Sequence, residues 1–270
     1  MCHACVMDAV KKGMLSRRDL FRGSAAGAAA VAAGALSARS ALADAHGGVV
    51  DLTHTLTPEF PTFGGEPGIA YEQMATMDAD GYQFFRLTVD EHSGTHIDAP
   101  LHFSADGTSV DEMPVESLMC PLCVIDISAK AAEEANAMVM PEDVEAWVSA
   151  HGAIPAGACV AMHSGWAEKV GDPSYRNDAD GNFAFPGFSK GASDLLMEAG
   201  AACLGVDTLS LDPGDSQDFA VHYSWLPSGR YGIENLAGLD GVPAAGATVF
   251  VGAPKHGGGT GGPARVLAMV

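Results

Sequence analysis

The densest chemistry in this sequence lies in Glu91-His92-Ser93-Gly94-Thr95-His96-Ile97-Asp98-Ala99-Pro100-Leu101-His102-Phe103, which holds three of the ten histidines and, between the second and third of them, the carboxylate Asp98. A spacing of four would align His92 and His96 on a helix, but Ser93-Gly94-Thr95 between them is poor helix material, so extended backbone is expected. In a strand, alternate residues share a face, which would turn His92, His96 and Asp98 the same way. Two imidazoles and a carboxylate form part of a site for a divalent cation such as zinc or manganese. Pro100 breaks the strand and lets His102 be aimed separately, close to the metal without ligating it. The remaining ligands must come from far along the chain. His222 and Glu234 are natural suppliers, both expected near strand ends in the C-terminal third, although spacing alone does not separate them from His163 or His256.

The elements that must position these residues can be read from apolar periodicity. Val49–Thr53 reads as a first strand, and 69–77 and 82–90 as two more β-type runs. The second of these alternates Phe85, Leu87 and Val89 against Arg86, Thr88 and Asp90, the pattern of a strand with one buried face, and leads directly into the histidine segment. Beyond it are expected a short helix at 113–119 and strands at 122–127, 158–162, 202–207, 233–236, 248–251 and 264–270. A helix at 141–151 opens with proline and acidic residues, as first helical turns favour. A second, at 190–199, is capped by Ser189 and ended by Gly200, and a short third at 219–226 carries His222. Residues 172–185 are polar and unpatterned, the composition of a long surface loop. Strands and helices interleave irregularly without repeats, which predicts a single α/β domain over residues 44–270 with a mixed β-sheet core flanked by helices.

Residues 1–43 read differently. Ser16-Arg17-Arg18-Asp19-Leu20-Phe21 is a twin-arginine signature, followed by a weakly apolar Ala/Gly run and an Ala41-Leu42-Ala43 cleavage-type triplet. The apolar run falls short of the ~20 residues that span a bilayer, so the segment is expected to be removed after export by the twin-arginine machinery, leaving a periplasmic protein without a membrane anchor. The remaining chain has eight basic and thirty-two acidic residues, a net charge of −24. Such a surface repels nucleic acid and anionic lipid. Cys120, Cys123, Cys159 and Cys203 remain; Cys120-Pro121-Leu122-Cys123 has redox-motif spacing but leads into a strand, so core thiols are expected.

Two further motifs have plainer readings. Gly187-Phe188-Ser189-Lys190-Gly191 matches the G-x-S-x-G pattern of serine hydrolases, but that motif requires a preceding buried strand and a sharp turn. Here a polar loop precedes it, and Ser189 is expected as a helix cap. The glycine run Gly257–Gly262 lacks a following helix or Lys-Ser/Thr and reads as a turn. A reading from another class, an acidic exported metal-storage protein without catalysis, would not need His102 held apart from the ligands.

The combination His92-x-Gly94-Thr95-His96-x-Asp98-Ala99-Pro100-x-His102 resembles the signature of the cyclase-like metal-dependent hydrolases, which include bacterial kynurenine formamidases and isatin hydrolases. Similar motifs follow in order: Asp51-Leu52-Thr53-His54, Phe185-Pro186-Gly187-Phe188-Ser189, Gly205–Asp212, Glu234-Asn235-Leu236 and Gly259–Arg265. The resemblance implies a swivelling β/β/α fold and homo-oligomers. It implies that His92, His96 and Asp98 ligate one or two divalent ions, zinc or manganese, that His222 and Glu234 complete the site, and that His102 is the general acid/base. The activity implied is hydrolysis of a small amide by metal-activated water, of the arylformamidase type (N-formyl-kynurenine to kynurenine and formate, a step of tryptophan catabolism), with isatin, lactam or lactone hydrolysis as the alternative. Phe63 stands where kynurenine formamidases tend to carry a substrate-contacting tryptophan, so the substrate is the point of departure.

Overall fold

The structure is a computed structural model that describes residues 48–270; the export segment expected at 1–43 lies outside them. The elements in chain order are β1 (Val49–Asp51), β2 (Ile69–Ala75), α1 (Met77–Asp80), β3 (Phe84–Val89), β4 (His96–Asp98), β5 (Met119–Asp126), α2 (Ser128–Glu133), β6 (Met138–Val139) and α3 (Pro141–His151). They continue as β7 (Cys159–His163), β8 (Gly187–Phe188), α4 (Lys190–Glu198), β9 (Cys203–Val206), α5 (Ala220–Trp225), β10 (Tyr231–Glu234), β11 (Ala247–Gly252), β12 (Gly261–Pro263) and β13 (Arg265–Met269). The helix ends follow their caps. Asp143 Oδ2 accepts from Met140 N at the start of α3, and Ser189 Oγ accepts from Ala192 N at the start of α4, so Ser189 is the cap expected.

Nine strands form one mixed sheet in the order β1-β13-β11-β5-β7-β9-β10-β4-β12. The pairs β5–β7, β7–β9 and β9–β10 are parallel and the rest antiparallel. Only Ala264 separates β12, at one edge, from β13, near the other, so the sheet has to curl until its ends meet. The Thr53–Leu236 bridge and the Ala264 N to Thr95 O bond tie that seam. Inside the curl Leu52, Ile97, Leu122, Ile233, Val249 and Val266 form one apolar cluster. On the outer face Ile125, Val160 and Leu204 pack beneath the helices with Trp147, Leu196 and Trp225. Trp147 Nε1 donates to Val124 O at 3.0 Å, anchoring α3 to β5. Residues 48–270 form one compact unit.

Several local expectations are corrected. Every residue of β3 is exposed, because β3 pairs only with β2 in a separate two-stranded ribbon away from the main sheet. The loop at 172–185 is not wholly superficial: Tyr175 and Phe185 are fully buried in the helical-side core, Arg176 and Asn177 are half-buried, and residues 178–182 stay exposed. Strand β12 is unpredicted, since Gly261-Gly262-Pro263 has no side-chain β signal and its pairing is set by β4. The four cysteines are free and buried. Burial pushes the Cys120 and Cys123 thiols up to about 12, which keeps them unreactive at neutral pH.

Candidate metal centre

The extended stretch expected from His92 to Asp98 is broken at Gly94, where φ is +62°, and β4 begins only at His96. His96 and Asp98 therefore share a strand face, while His92 is brought beside them by the turn. Gly94 O accepts from His96 Nδ1 and from Asn235 Nδ2, each at 2.9 Å. A carbonyl can only accept, so His96 carries its hydrogen on Nδ1 and presents the Nε2 lone pair to the site. The antiparallel register sets Glu234 of β10 directly across from His96. Asn235, next in the chain, adopts φ +55°, a conformation asparagine tolerates better than most residues. Its Oδ1 accepts from the buried Tyr175 hydroxyl at 2.7 Å, which locks the end of β10 against the Gly94 turn.

His222 arrives on α5. Asp212 caps that helix, accepting from Val221 N at 2.8 Å and His222 N at 3.1 Å, and also faces His222 Nδ1 at 2.6 Å. That carboxylate holds the hydrogen on Nδ1 and leaves Nε2 for the centre. His222 Nε2 lies 3.2 Å from Glu234 Oε1 and 3.5 Å from Asp98 Oδ2. His96 Nε2 lies 3.3 Å from Asp98 Oδ1 and 3.4 Å from Glu234 Oε2. His92 Nδ1 is 2.7 Å from Asp98 Oδ1. The five residues thus make two triads, His92/His96/Asp98 and Asp98/His222/Glu234, whose donor atoms lie within 4.8 Å of one another and which share Asp98.

Two atoms of this cluster, His96 Nε2 and Asp98 Oδ2, are buried without a hydrogen-bond partner. Buried polar atoms are almost always paired, and a mixed imidazole and carboxylate donor set facing one point fits a divalent cation. The electrostatics agree. Burial opposes charging His96, yet Asp98 and Glu234 beside it raise its pKa to about 10. For His222 burial is likewise overruled by Asp212, Asp98 and Glu234, which raise it, and for Asp98 by the three imidazoles, which hold it well below the usual carboxylate range. The pocket favours positive charge.

His102 belongs to neither triad. It ends a single 3-10 turn, Pro100–His102, and stacks on His92 with ring centroids 3.7 Å apart and planes 20° from parallel. Burial pushes it down to about 4 against the pull of Asp98, so it is neutral at pH 7. Of the alternatives left open by spacing, His163 sits at the end of β7 beside Asp207, and His256 bonds to Glu91 Oε1 at 2.7 Å; neither is in a triad. The cluster floors a cavity of about 360 Å³ whose apolar wall includes Phe63, Phe103 and Phe219. Phe63 and Phe103 lie 6.0 and 6.1 Å from Phe219. Arg176 fixes the Phe63 loop, donating to Phe63 O at 2.9 Å and Thr62 O at 3.1 Å.

The supporting residues Asp212, Asn235, Phe103, Phe219 and Arg176 were not legible as functional from spacing. Asp212 and Asn235 lie inside motifs that carried the resemblance, but for Arg176 and Phe219 the sequence holds no such signal.

Residues 50–213 match the family model Cyclase, described as "Putative cyclase". The chain belongs to the cyclase family. The match takes in His92, His96, Asp98 and Asp212 and ends before His222 and Glu234. Isatin hydrolase of Roseibium aggregatum is 32 % identical over 243 residues, 82 % of this chain and 91 % of that protein. Kynurenine formamidase of Salinibacter ruber is 26 % identical over 221 residues, 81 % of this chain and 96 % of its own length. The solved structure of isatin hydrolase A from Labrenzia aggregata, bound to benzyl benzoate, superposes with a TM-score of 0.80 at 35 % identity and covers 88 % of this chain and 99 % of that one. The curled mixed sheet is thus the fold of this family, and the chain is an enzyme of its metal-dependent hydrolase type.

Proposed function

We propose that this protein hydrolyses the amide bond of a small aryl-fused cyclic amide of the isatin type, with the aryl formamide N-formyl-kynurenine as the second reading. The convergence of two imidazole–carboxylate triads on Asp98, beneath an aromatic wall, carries the proposal. His92, His96, Asp98, His222 and Glu234 would hold one or two divalent ions, zinc or manganese. Such an ion lowers the pKa of water from 15.7 to about 7 and polarises a carbonyl.

The remaining work falls to the chain's own residues. Phe63, Phe103 and Phe219 take the aryl ring and keep bulk water from it. Phe63 in place of the tryptophan of kynurenine formamidases, together with the isatin hydrolase relatives, supports ranking the cyclic amide first. His102, neutral and aimed into the same cavity, takes a proton from the attacking water and returns it to the leaving nitrogen as the C–N bond breaks. The second reading is supported by the kynurenine formamidase relative.

The β2–β3 ribbon supports self-association. Tyr71, Leu87 and Phe85 lie on one face of it, with the Arg86–Glu72 ion pair on the other. Tyr71, Met77, Tyr82, Phe84, Phe85 and Leu87 are each 44–58 % exposed. At about 200 Å² per large side chain the three on the shared face leave on the order of 300 Å² uncovered there, part of the ~800 Å² each partner buries in a stable interface. A second copy of this chain is the proposed occupant. Export by the twin-arginine machinery to the periplasm rests on Ser16–Phe21 and belongs to the same reading.

The deciding experiment measures bound metal in the purified protein and assays isatin, N-formyl-kynurenine and a simple lactone side by side, before and after chelation. Turnover of isatin that a chelator abolishes is expected. Metal bound without turnover of any of the three would sink the substrate reading.

A further inference from the structure

A series of four side chains leads from the metal centre to the surface. His92 Nε2 lies 2.9 Å from Thr260 Oγ1, Thr260 Oγ1 is 2.5 Å from Glu91 Oε2, and Glu91 Oε1 is 2.7 Å from His256 Nε2. Thr260 N also donates to Glu91 Oε1, at 3.2 Å. A carboxylate, ionised at neutral pH, only accepts hydrogen bonds. The single hydroxyl hydrogen of Thr260 therefore goes to Glu91, and Thr260 Oγ1 is left to accept from His92 Nε2–H. This keeps a hydrogen on His92 Nε2, so Nδ1, 2.7 Å from the acceptor Asp98 Oδ1, is the nitrogen that would release its hydrogen to ligate a cation. His96 and His222 are held the opposite way, each with hydrogen on Nδ1, by Gly94 O and Asp212.

The glycine run that reads in sequence as a plain turn is shaped around this series. A Cβ on Gly261 would lie 2.7 Å from His92 Cε1. One on Gly259 would lie 2.2 Å from His256 Nε2 and 2.8 Å from Glu91 Oε1. Only glycine on both sides of Thr260 lets the backbone pass this close to two imidazoles and the carboxylate that links them.

We propose that Glu91, acting through the hydroxyl of Thr260 and held at its outer end by His256, is a positioning residue that selects the metal-binding tautomer of His92. The inference rests on the reading of His92 as a ligand. Groups that hydrogen-bond the non-ligating nitrogen of a metal-bound histidine set its ring orientation and tautomer, and losing one typically weakens metal binding 10–100-fold.

The test compares wild type with Thr260→Val, Thr260→Ser and Glu91→Gln in zinc titrations against a competing chelator, and records long-range ¹⁵N–¹H spectra of the zinc-loaded proteins. Wild type is expected to show His92 bound through Nδ1 with hydrogen on Nε2. Thr260→Val should lose roughly 10–100-fold in zinc affinity and that tautomer signature, Thr260→Ser should restore both, and Glu91→Gln should weaken binding in the same direction. Should Thr260→Val fail to fold, as thermal unfolding of the metal-free protein would reveal, Glu91→Gln carries the test. Wild-type affinity and tautomer in Thr260→Val and Glu91→Gln would overturn the inference while leaving the metal reading intact, as would a Thr260→Ser variant as weak as Thr260→Val. Wild type that binds neither zinc nor manganese would overturn the metal reading itself.

Discussion

At the scale of single residues, five donors converge on one point and His102, the proposed acid/base, stands outside them. Asp98 is shared by both triads; His92, His96 and His222 lie within 3.5 Å of it, and Glu234 faces His96 and His222. His102 meets the cluster ring to ring, stacking on His92 and lying edge-on to His222 at 6.2 Å. The two positions should therefore fail differently. His102→Gln is expected to lower kcat roughly 10²–10⁴-fold with bound metal unchanged, whereas Asp98→Asn should remove both metal and turnover. Paired metal analysis and steady-state kinetics on the two variants check this, and loss of metal from His102→Gln would show it to be a ligand instead.

At the scale of elements, two features make separate predictions. The β2–β3 ribbon exposes its apolar face, and its second strand runs into Asp90 and His92 at the cavity rim. Leu87→Lys combined with Tyr71→Lys should reduce the mass measured by light scattering to that of a single chain; a monomeric wild type at micromolar concentration would refute the self-association. The ends of β7 and β9 are joined by Asp207, which accepts from Ser164 N at 3.0 Å and Trp166 N at 3.2 Å and lies 3.7 Å from His163 Nδ1. The Asp207 carboxylate raises the pKa of His163 above its ordinary 6.5 despite partial burial. A histidine raised in the folded state stabilises the fold fully below pH 6.5, and the contribution is lost as pH climbs through the folded value. Urea unfolding should show a larger stability gap between wild type and His163→Gln at pH 6 than at pH 9. An equal gap at both would mean the pair contributes nothing.

At the scale of the whole molecule, the centre is a seam as well as a site. Its donors come from β4, β10, α5 and the turn before β4, elements far apart in sequence that meet where the sheet curls on itself. A cation that binds only this assembled state adds stability in proportion to the logarithm of its concentration, about 2.7 kcal/mol at a hundredfold excess over Kd. For a chain of this size that corresponds to a rise of roughly 5–10 °C in Tm. Thermal scans with increasing zinc or manganese should show the rise and a chelator should reverse it; a Tm indifferent to both ions would show that the folded state holds neither.

The sequence by itself determined which donor types sit together, because His92, His96, Asp98 and His102 are crowded into a stretch too short to carry them apart. It also determined the helix ends at Pro141 and Ser189, where proline and serine act through their own backbone neighbours. What the tertiary structure decided is everything that depends on register and closure. Glu234 faces His96 only because β10 pairs with β4 in that register, and His222 reaches the site only because Asp212 caps α5 there. The alternation in β3 predicts a buried face, yet periodicity records only that one face is apolar and says nothing of what covers it. Thr260 lies 168 residues from His92 and bonds to it because β12 lies beside β4 at the seam of the curled sheet. Short-range spacing is a property of the chain, whereas pairing across such distances is settled only when the whole core packs.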